Sequence, residues 1–233
     1  MHLNTLKLLS TISVLVVEDD AMTLMAIKQG LKPYCEAFYE AKDGYEGLEL
    51  FKQHRVDIIL TDIHLPEMNG FEMITEILSL KPDQLFIVMT SYDTDKNILS
   101  SIQEGACSFL RKPLEIKDIQ TSLLLCCGKI KSTTKQITPE VTIDYRKESI
   151  YKNNELIFLS QKSHKIFWLL CYNIEKLVSY DMFEDYVYSG ESINKGALHT
   201  AILRIKQQLG KDLVIDNIQN QGYMLKITYR PDK

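Results

Sequence analysis

Residues 59–70 read ILTDIHLPEMNG: an apolar run that closes on a carboxylate, Asp62, then breaks into a turn containing Pro66 and Gly70. An apolar run without polar alternation is expected of a strand buried on both faces, as in parallel sheets covered by helices. The same form recurs at 13–20, SVLVVEDD, and at 85–91, LFIVMTS, and in shorter form at 108–110. A further strand is expected at 35–41. Between these lie stretches with helical spacing at 21–32, 44–54, 71–80, 96–104 and 116–127; the first sets Met22, Met25, Ala26 and Gln29 on one face and stops before Pro33. Five strand–helix units in series predict an α/β, doubly wound, five-stranded parallel sheet, whose functional edge lies at the carboxyl ends of the strands.

The chain has 233 residues, more than a usual single domain, and two domains are expected. Hydrophobic residues at 45% and charged residues at 25% exclude wholesale disorder. No apolar run reaches the roughly 18 residues of a membrane span, so no membrane partner is expected. Residues 6–17 could pass for a signal-peptide core, but Glu18, Asp19 and Asp20 stand where a small-residue cleavage site belongs. Five cysteines, odd in number and without a C-x-x-C pair, argue against a disulfide framework or zinc site and suit a reducing cytoplasm. Charge is uneven. Residues 1–127 hold 11 Lys+Arg against 19 Asp+Glu, and residues 128–233 hold 16 against 12, so only the second part favours a polyanion.

Residues 128–140, GKIKSTTKQITPE, lack an apolar period and read as a linker. Beyond it the rhythm changes to short antiparallel strands at 141–143, 149–151 and 156–159 with a turn at Asn153-Asn154. Helices are expected at 163–172, 180–188 and 195–209, and a closing hairpin at 213–228.

On these elements Glu18 and Asp19 follow the first strand, Asp62 the third, and Lys112 the fifth, while Thr90 ends the fourth; all converge on one sheet edge. Three carboxylates at one spot repel, and a hard divalent cation with oxygen ligands, Mg²⁺ in particular, relieves them. Asp62 then suits a nucleophile that accepts a phosphoryl group, with the Thr90 hydroxyl and Lys112 ammonium binding its oxygens. Phosphatases that form aspartyl phosphates resemble D-x-D, with the second carboxylate as general acid. Here that position is His64, so the chain is not expected to be an enzyme.

VLVVEDD (14–20), ILTDIHLPEMNG (59–70), IVMTS (87–91) and FLRKP (109–113) together resemble the receiver domain of bacterial two-component response regulators, a flavodoxin-like fold, over residues 11–128. The resemblance implies Asp62 as phosphoacceptor, with a sensor histidine kinase as donor. It implies Mg²⁺ on Glu18, Asp19, Asp62 and the backbone carbonyl of His64, Thr90 and Phe109 as a switch pair, and Lys112 on the phosphoryl group. Tyr92, two residues after Thr90, is expected to flank the attacking water and slow dephosphorylation.

Residues 138–230, after a linker at 129–137, resemble the winged helix-turn-helix effector domain of the OmpR/PhoB subfamily, a smaller α+β domain. LRIKQQL (203–209) and Gly222-Tyr223 are the most specific pieces. Leu198, Ile202, Ile205 and Leu209 form a core-facing stripe in the helix at 195–209. The opposite face offers Thr200, Arg204, Lys206, Gln207 and Gln208 to a major groove, with Gln219 in the wing. The resemblance implies double-stranded DNA as partner, repeated half-sites, a homodimer on phosphorylation, and RNA polymerase as a further partner. Two departures stand out. Gly196, Ala201 and Leu203 occupy positions that carry arginines or a histidine in the subfamily, and the wing Asn217-Ile218-Gln219-Asn220-Gln221 has no cation, so DNA binding that is weaker, more dimer-dependent or A·T-tolerant is expected. The subfamily dimer's charge pairs are mostly missing at Ile98, Gln103, Ser108, Asp118 and Ser122. The expectation is therefore a phosphorylation-dependent transcriptional regulator; the alternative is a signalling adaptor whose C-terminal domain binds protein.

Overall fold

The computed structural model describes residues 6–91, 106–128, 134–145 and 147–229, with the backbone alone at 106 and 107. The expected helix at 96–104 and the residues Tyr92, Ile98 and Gln103 lie outside the described residues. The chain divides into two compact units, residues 1–131 and 132–233.

In the first unit, strands β1 (Ser13–Val17), β2 (Ala37–Ala41), β3 (Ile58–Asp62), β4 (Leu85–Thr90) and β5 (Ala106–Arg111) form one parallel sheet in the order β2-β1-β3-β4-β5. The expected five-stranded parallel sheet is present. Every residue of β1 and β3 is buried, as the unbroken apolar runs required. Helices α1 (Ala21–Leu31), α2 (Gly44–Gln53), α3 (Gly70–Leu80) and α4 (Ile116–Cys127) cover it.

The turns leaving β1, β2 and β3 each end in a side-chain cap. Asp20 accepts from the Thr23 N–H and Asp43 from the Glu46 N–H, and Asn69 with Glu72 closes a capping box. Each cap satisfies N–H groups that the first helical turn leaves without partners.

The spacing that marks α1 as a helix does not coincide with its buried face. Met22 and Met25 of α1 are 78% and 55% exposed, and the buried stripe is Ile27 and Leu31, with Leu24 packed beside them. A long run of moderately apolar residues fits two helical phases, and the β-branched Ile27 with Leu31 wins the core. Cys126 on α4 is disulfide-bonded, whereas Cys35, Cys127 and Cys171 are free thiols. The sequence expectation that no disulfide forms is therefore corrected at Cys126, since an odd cysteine count and the lack of a C-x-x-C pair do not exclude a single bond.

The second unit opens with a four-stranded antiparallel sheet of β6 (Thr134–Gln136), β7 (Val141–Asp144), β8 (Ser149–Lys152) and β9 (Glu155–Ile157). β6 lies in the stretch read as linker. Its exposed, polar side chains conceal the strand, which is fixed by backbone pairing to β7 and carries no apolar pattern. Asn153 and Asn154, at φ 51° and 68°, make the expected β8–β9 turn. Helices α5 (Gln161–Tyr172), α6 (Tyr180–Val187) and α7 (Lys195–Leu209) follow, and a second sheet has the order β10-β12-β11, from β10 (Val178–Ser179), β11 (Val214–Ile218) and β12 (Gly222–Lys226).

Trp168, Phe167 and Phe183 fill the core of this unit with Leu198, Ile202, Ile205 and Leu209, all at most 2% exposed. Gly222 has φ 152°, and a Cβ there would sit 2.0 Å from the Val178 carbonyl oxygen. Only glycine lets β10 and β12 approach so closely.

Candidate functional site

The carboxyl ends of β1, β3, β4 and β5 bring one charged cluster together. Glu18 is 1% and Asp62 is 4% exposed, while Asp19 faces solvent. Ligand oxygens of all three lie within 4.8 Å of one another. Lys112, one residue beyond β5, reaches back so that Nζ donates to Asp62 Oδ2 at 2.5 Å and to Glu18 Oε1 at 2.9 Å. The Lys112 N–H donates to the Thr90 carbonyl at 2.8 Å, which ties the lysine to the end of β4.

The two Asp62 oxygens have different surroundings. Oδ1 accepts from the N–H groups of Ile63 at 2.6 Å and His64 at 3.2 Å, and Oδ2 faces Lys112. Thr61 Oγ1 donates to the Asp62 carbonyl at 2.8 Å. The turn closes tightly: the Gly70 N–H donates to the Ile63 carbonyl, and a Cβ on Gly70 would stand 2.1 Å from the Asp62 carbonyl oxygen. Gly70 thus does double duty, starting α3 and leaving room for the backbone of Asp62.

Burial pushes the Glu18 carboxyl above its usual pKa despite the opposing Lys112 ammonium. Burial also works against the charge on Lys112, but hydrogen bonds and charge from Asp62 and Glu18 outweigh it and raise the ammonium. Glu18 Oε2, also buried, is ion-paired with Nζ at 2.8 Å. Three clustered carboxylates, one of them open to solvent, are the donor set that a hard divalent cation takes. Asp20 stands apart: the Thr23 N–H it caps holds its carboxyl below the usual range.

A family model described as the response regulator receiver domain matches residues 14–124. The first unit is a receiver domain. The chain is 26% identical to the transcriptional regulatory protein QseB of Haemophilus influenzae, over 91% of this chain and 97% of that protein. It is 21% identical to the transcriptional regulatory protein PcoR of Escherichia coli, over 92% and 97%. Among solved structures, DrrB of Thermotoga maritima, an OmpR/PhoB homologue, matches at 20% identity and a TM-score of 0.45, covering 92% of this chain and 98% of that one. The resemblance of the first unit to the receiver domain of response regulators is borne out by the family model, and the relatives that match over nearly the whole chain are transcriptional regulators.

Within the receiver, Glu18, Asp19, Asp62 and Lys112 meet at one point. Thr90 is buried at the end of β4, and Phe109 on β5 is 41% exposed. His64 lies in the turn after β3 with its side chain in solvent. The N–H groups on Asp62 Oδ1 and the room left by Gly70 escaped the sequence reading, since backbone donors carry no side-chain signature; the D-x-x-x-x-x-x-x-G spacing is the signal that stood for them. Ser108 and Ser122, matched to positions of the subfamily dimer, bond to each other instead, Oγ to Oγ at 3.3 Å.

In the second unit the buried stripe of α7 is the expected one. Thr200, Arg204, Gln207 and Gln208 are exposed, Lys206 is half-buried, and Gln219 is exposed in the turn between β11 and β12. His199 Nδ1 lies 3.2 Å from the Tyr223 hydroxyl, and Lys195 Nζ sits 4.3 Å over the Tyr180 ring. The first contact joins α7 to β12, the strand that leaves the turn, and the second joins the start of α7 to the start of α6.

Proposed function

We propose that the chain is a phosphorylation-dependent DNA-binding transcriptional regulator, switched by phosphoryl transfer from a sensor histidine kinase to Asp62. The observation that carries this reading is the cluster itself. A carboxylate held by two backbone N–H groups is backed by Lys112 and flanked by the carboxylates of Glu18 and Asp19. Glu18, Asp19 and Asp62, with the His64 carbonyl, would hold Mg²⁺, which would supply charge neutralisation for the incoming phosphoryl oxygens.

Lys112 is placed to leave Asp62 and bind a phosphoryl oxygen, which exchanges one charge-assisted contact for another. The Thr90 hydroxyl takes a second oxygen and Phe109 follows it, so a local charge change biases a two-state surface. The reading is of a switch in the cytoplasm and not of an enzyme. Residues 11–128 carry it, and residues 138–230 carry the output.

For the output, Thr200, Arg204, Lys206, Gln207 and Gln208 of α7 face the major groove, and Gln219 touches the flanking groove or backbone. Two copies on repeated half-sites add weak single contacts through effective concentration, and RNA polymerase is the downstream partner. The cation-free turn at 217–221 supports a second reading, an adaptor whose C-terminal unit binds protein.

Selection from a random duplex pool with the full chain, with and without a small phosphodonor and Mg²⁺, separates the two. An enriched motif, bound more tightly after phosphorylation and lost in Arg204→Ala, supports DNA binding. No enrichment in any state, with Asp62 phosphorylated, supports the adaptor.

A further inference from the structure

The exposed face of α7 is split in its chemistry. Gly196 and Ala197 offer no side-chain hydrogen bond, and Thr200 Oγ1 donates to the Gly196 carbonyl at 2.9 Å, so its proton is committed inside the helix. Leu203 is 45% exposed and is the one large hydrophobic residue described as exposed on α7. Gly196, Thr200, Leu203 and Gln207 follow one another at helical i, i+3 and i+4 spacing and so share a face. Apart from His199, whose Nδ1 lies 3.2 Å from the Tyr223 hydroxyl, and Thr200, the polar side chains toward this side of α7 are those of Arg204, Gln207 and Gln208.

We propose that Leu203, with Thr200 beside it, reads the C5 methyl group of thymine, making this apolar half of α7 a specificity element and Arg204, Gln207 and Gln208 the hydrogen-bonding half. The proposal rests on the reading of α7 as the DNA-contacting helix. The occupant follows from charge and size. α7 carries Lys195, Arg204 and Lys206 and no carboxylate, whereas α6 carries Asp181, Glu184 and Asp185, so the face suits a polyanion. A protein interface of about 800 Å² per partner is built around a cluster of apolar anchors, and α7 presents a single large one. In the major groove the apolar group of matching scale is the thymine methyl.

The test uses the full chain, phosphorylated, on the duplex it enriches from a random pool. Each thymine is replaced in turn by deoxyuridine, which removes the methyl and nothing else. One or two positions per half-site are expected to lose about fourfold in affinity, the value of one buried methyl group. At those positions Leu203→Ala binds the thymine and uracil duplexes equally, whereas Arg204→Ala weakens both and keeps their ratio. A wild-type protein that binds both duplexes equally at every position overturns the proposal while leaving DNA binding intact, whether or not the leucine variant binds. Persistence of the ratio in Leu203→Ala overturns it too. If no duplex is enriched in any state, the DNA reading itself fails and the proposal falls with it.

Discussion

Replacing Lys112 with methionine keeps an unbranched side chain only one atom shorter and removes the cation between two buried carboxylates. Asp62 loses a contact of 2.5 Å and Glu18 loses one of 2.9 Å, and their oxygens still face each other within 4.8 Å. Two full charges at that separation repel by about 3.5 kcal/mol at an effective dielectric of 20. Removing one partner of a buried pair costs about 3–5 kcal/mol. Because the Lys112 side chain is 21% exposed, the lower end applies, and about 3 kcal/mol is expected in EDTA.

Trp168 lies in the second unit, so its fluorescence is blind to the receiver. Amide hydrogen exchange of β1 and β3 reports the receiver directly, and the variant should exchange about a hundred-fold faster. Mg²⁺ should protect the variant more than the wild type, since it relieves a larger repulsion.

Acidification should act in the same direction as Mg²⁺. The Glu18 pKa is already raised by burial, and loss of Lys112 raises it further. A carboxyl whose folded pKa exceeds its unfolded value binds a proton more tightly when folded. The penalty is therefore full above the folded pKa and fades as pH falls through it toward the unfolded one. Exchange no faster than wild type in EDTA, or equal protection by Mg²⁺ in both proteins, would refute the reasoning.

Three further outcomes are expected. Gly70→Ala sets a Cβ against the Asp62 carbonyl oxygen; it should destabilise the receiver by about 1–3 kcal/mol or more and slow phosphorylation by a small phosphodonor, read by intact mass over time. Burial pushes the Cys35 thiol up to about 12 from 9.0, so at pH 8 its alkylation should run about a thousand-fold slower in the native protein than in urea; equal rates would contradict the half-buried placement of this thiol. With Lys195, Arg204 and Lys206 on α7 and no cation at 217–221, the log–log salt slope should be about −2.7 per protomer at roughly 0.9 per phosphate contact, and a slope twice as steep would point to phosphate contacts elsewhere.

The receiver sheet was legible because strands buried on both faces need unbroken apolar runs, and those of β1, β3 and β4 are unmistakable. The cluster was legible because Glu18, Asp62 and Lys112 each sit at a strand end, where the parallel fold gathers them. Features set by the backbone stayed hidden. β6 pairs through main-chain groups beneath polar side chains, and the donors on Asp62 Oδ1 belong to the peptide units of Ile63 and His64. The spacing of Met22, Met25, Ala26 and Gln29 marks α1 as a helix without fixing its buried face, because helical phase is settled by tertiary packing. On α7 the aliphatic residues leave one phase only, and Leu198, Ile202, Ile205 and Leu209 were read correctly.

The central claim is that charge placed on Asp62 controls the affinity of the second unit for DNA. The most direct measurement is the affinity of the full chain for one enriched duplex before and after treatment with a phosphodonor and Mg²⁺, beside Asp62→Asn treated in the same way. The account predicts tighter binding in step with the gain of one phosphoryl group, and no change in the variant. Equal affinity before and after full phosphorylation, or the same tightening in Asp62→Asn, would contradict it.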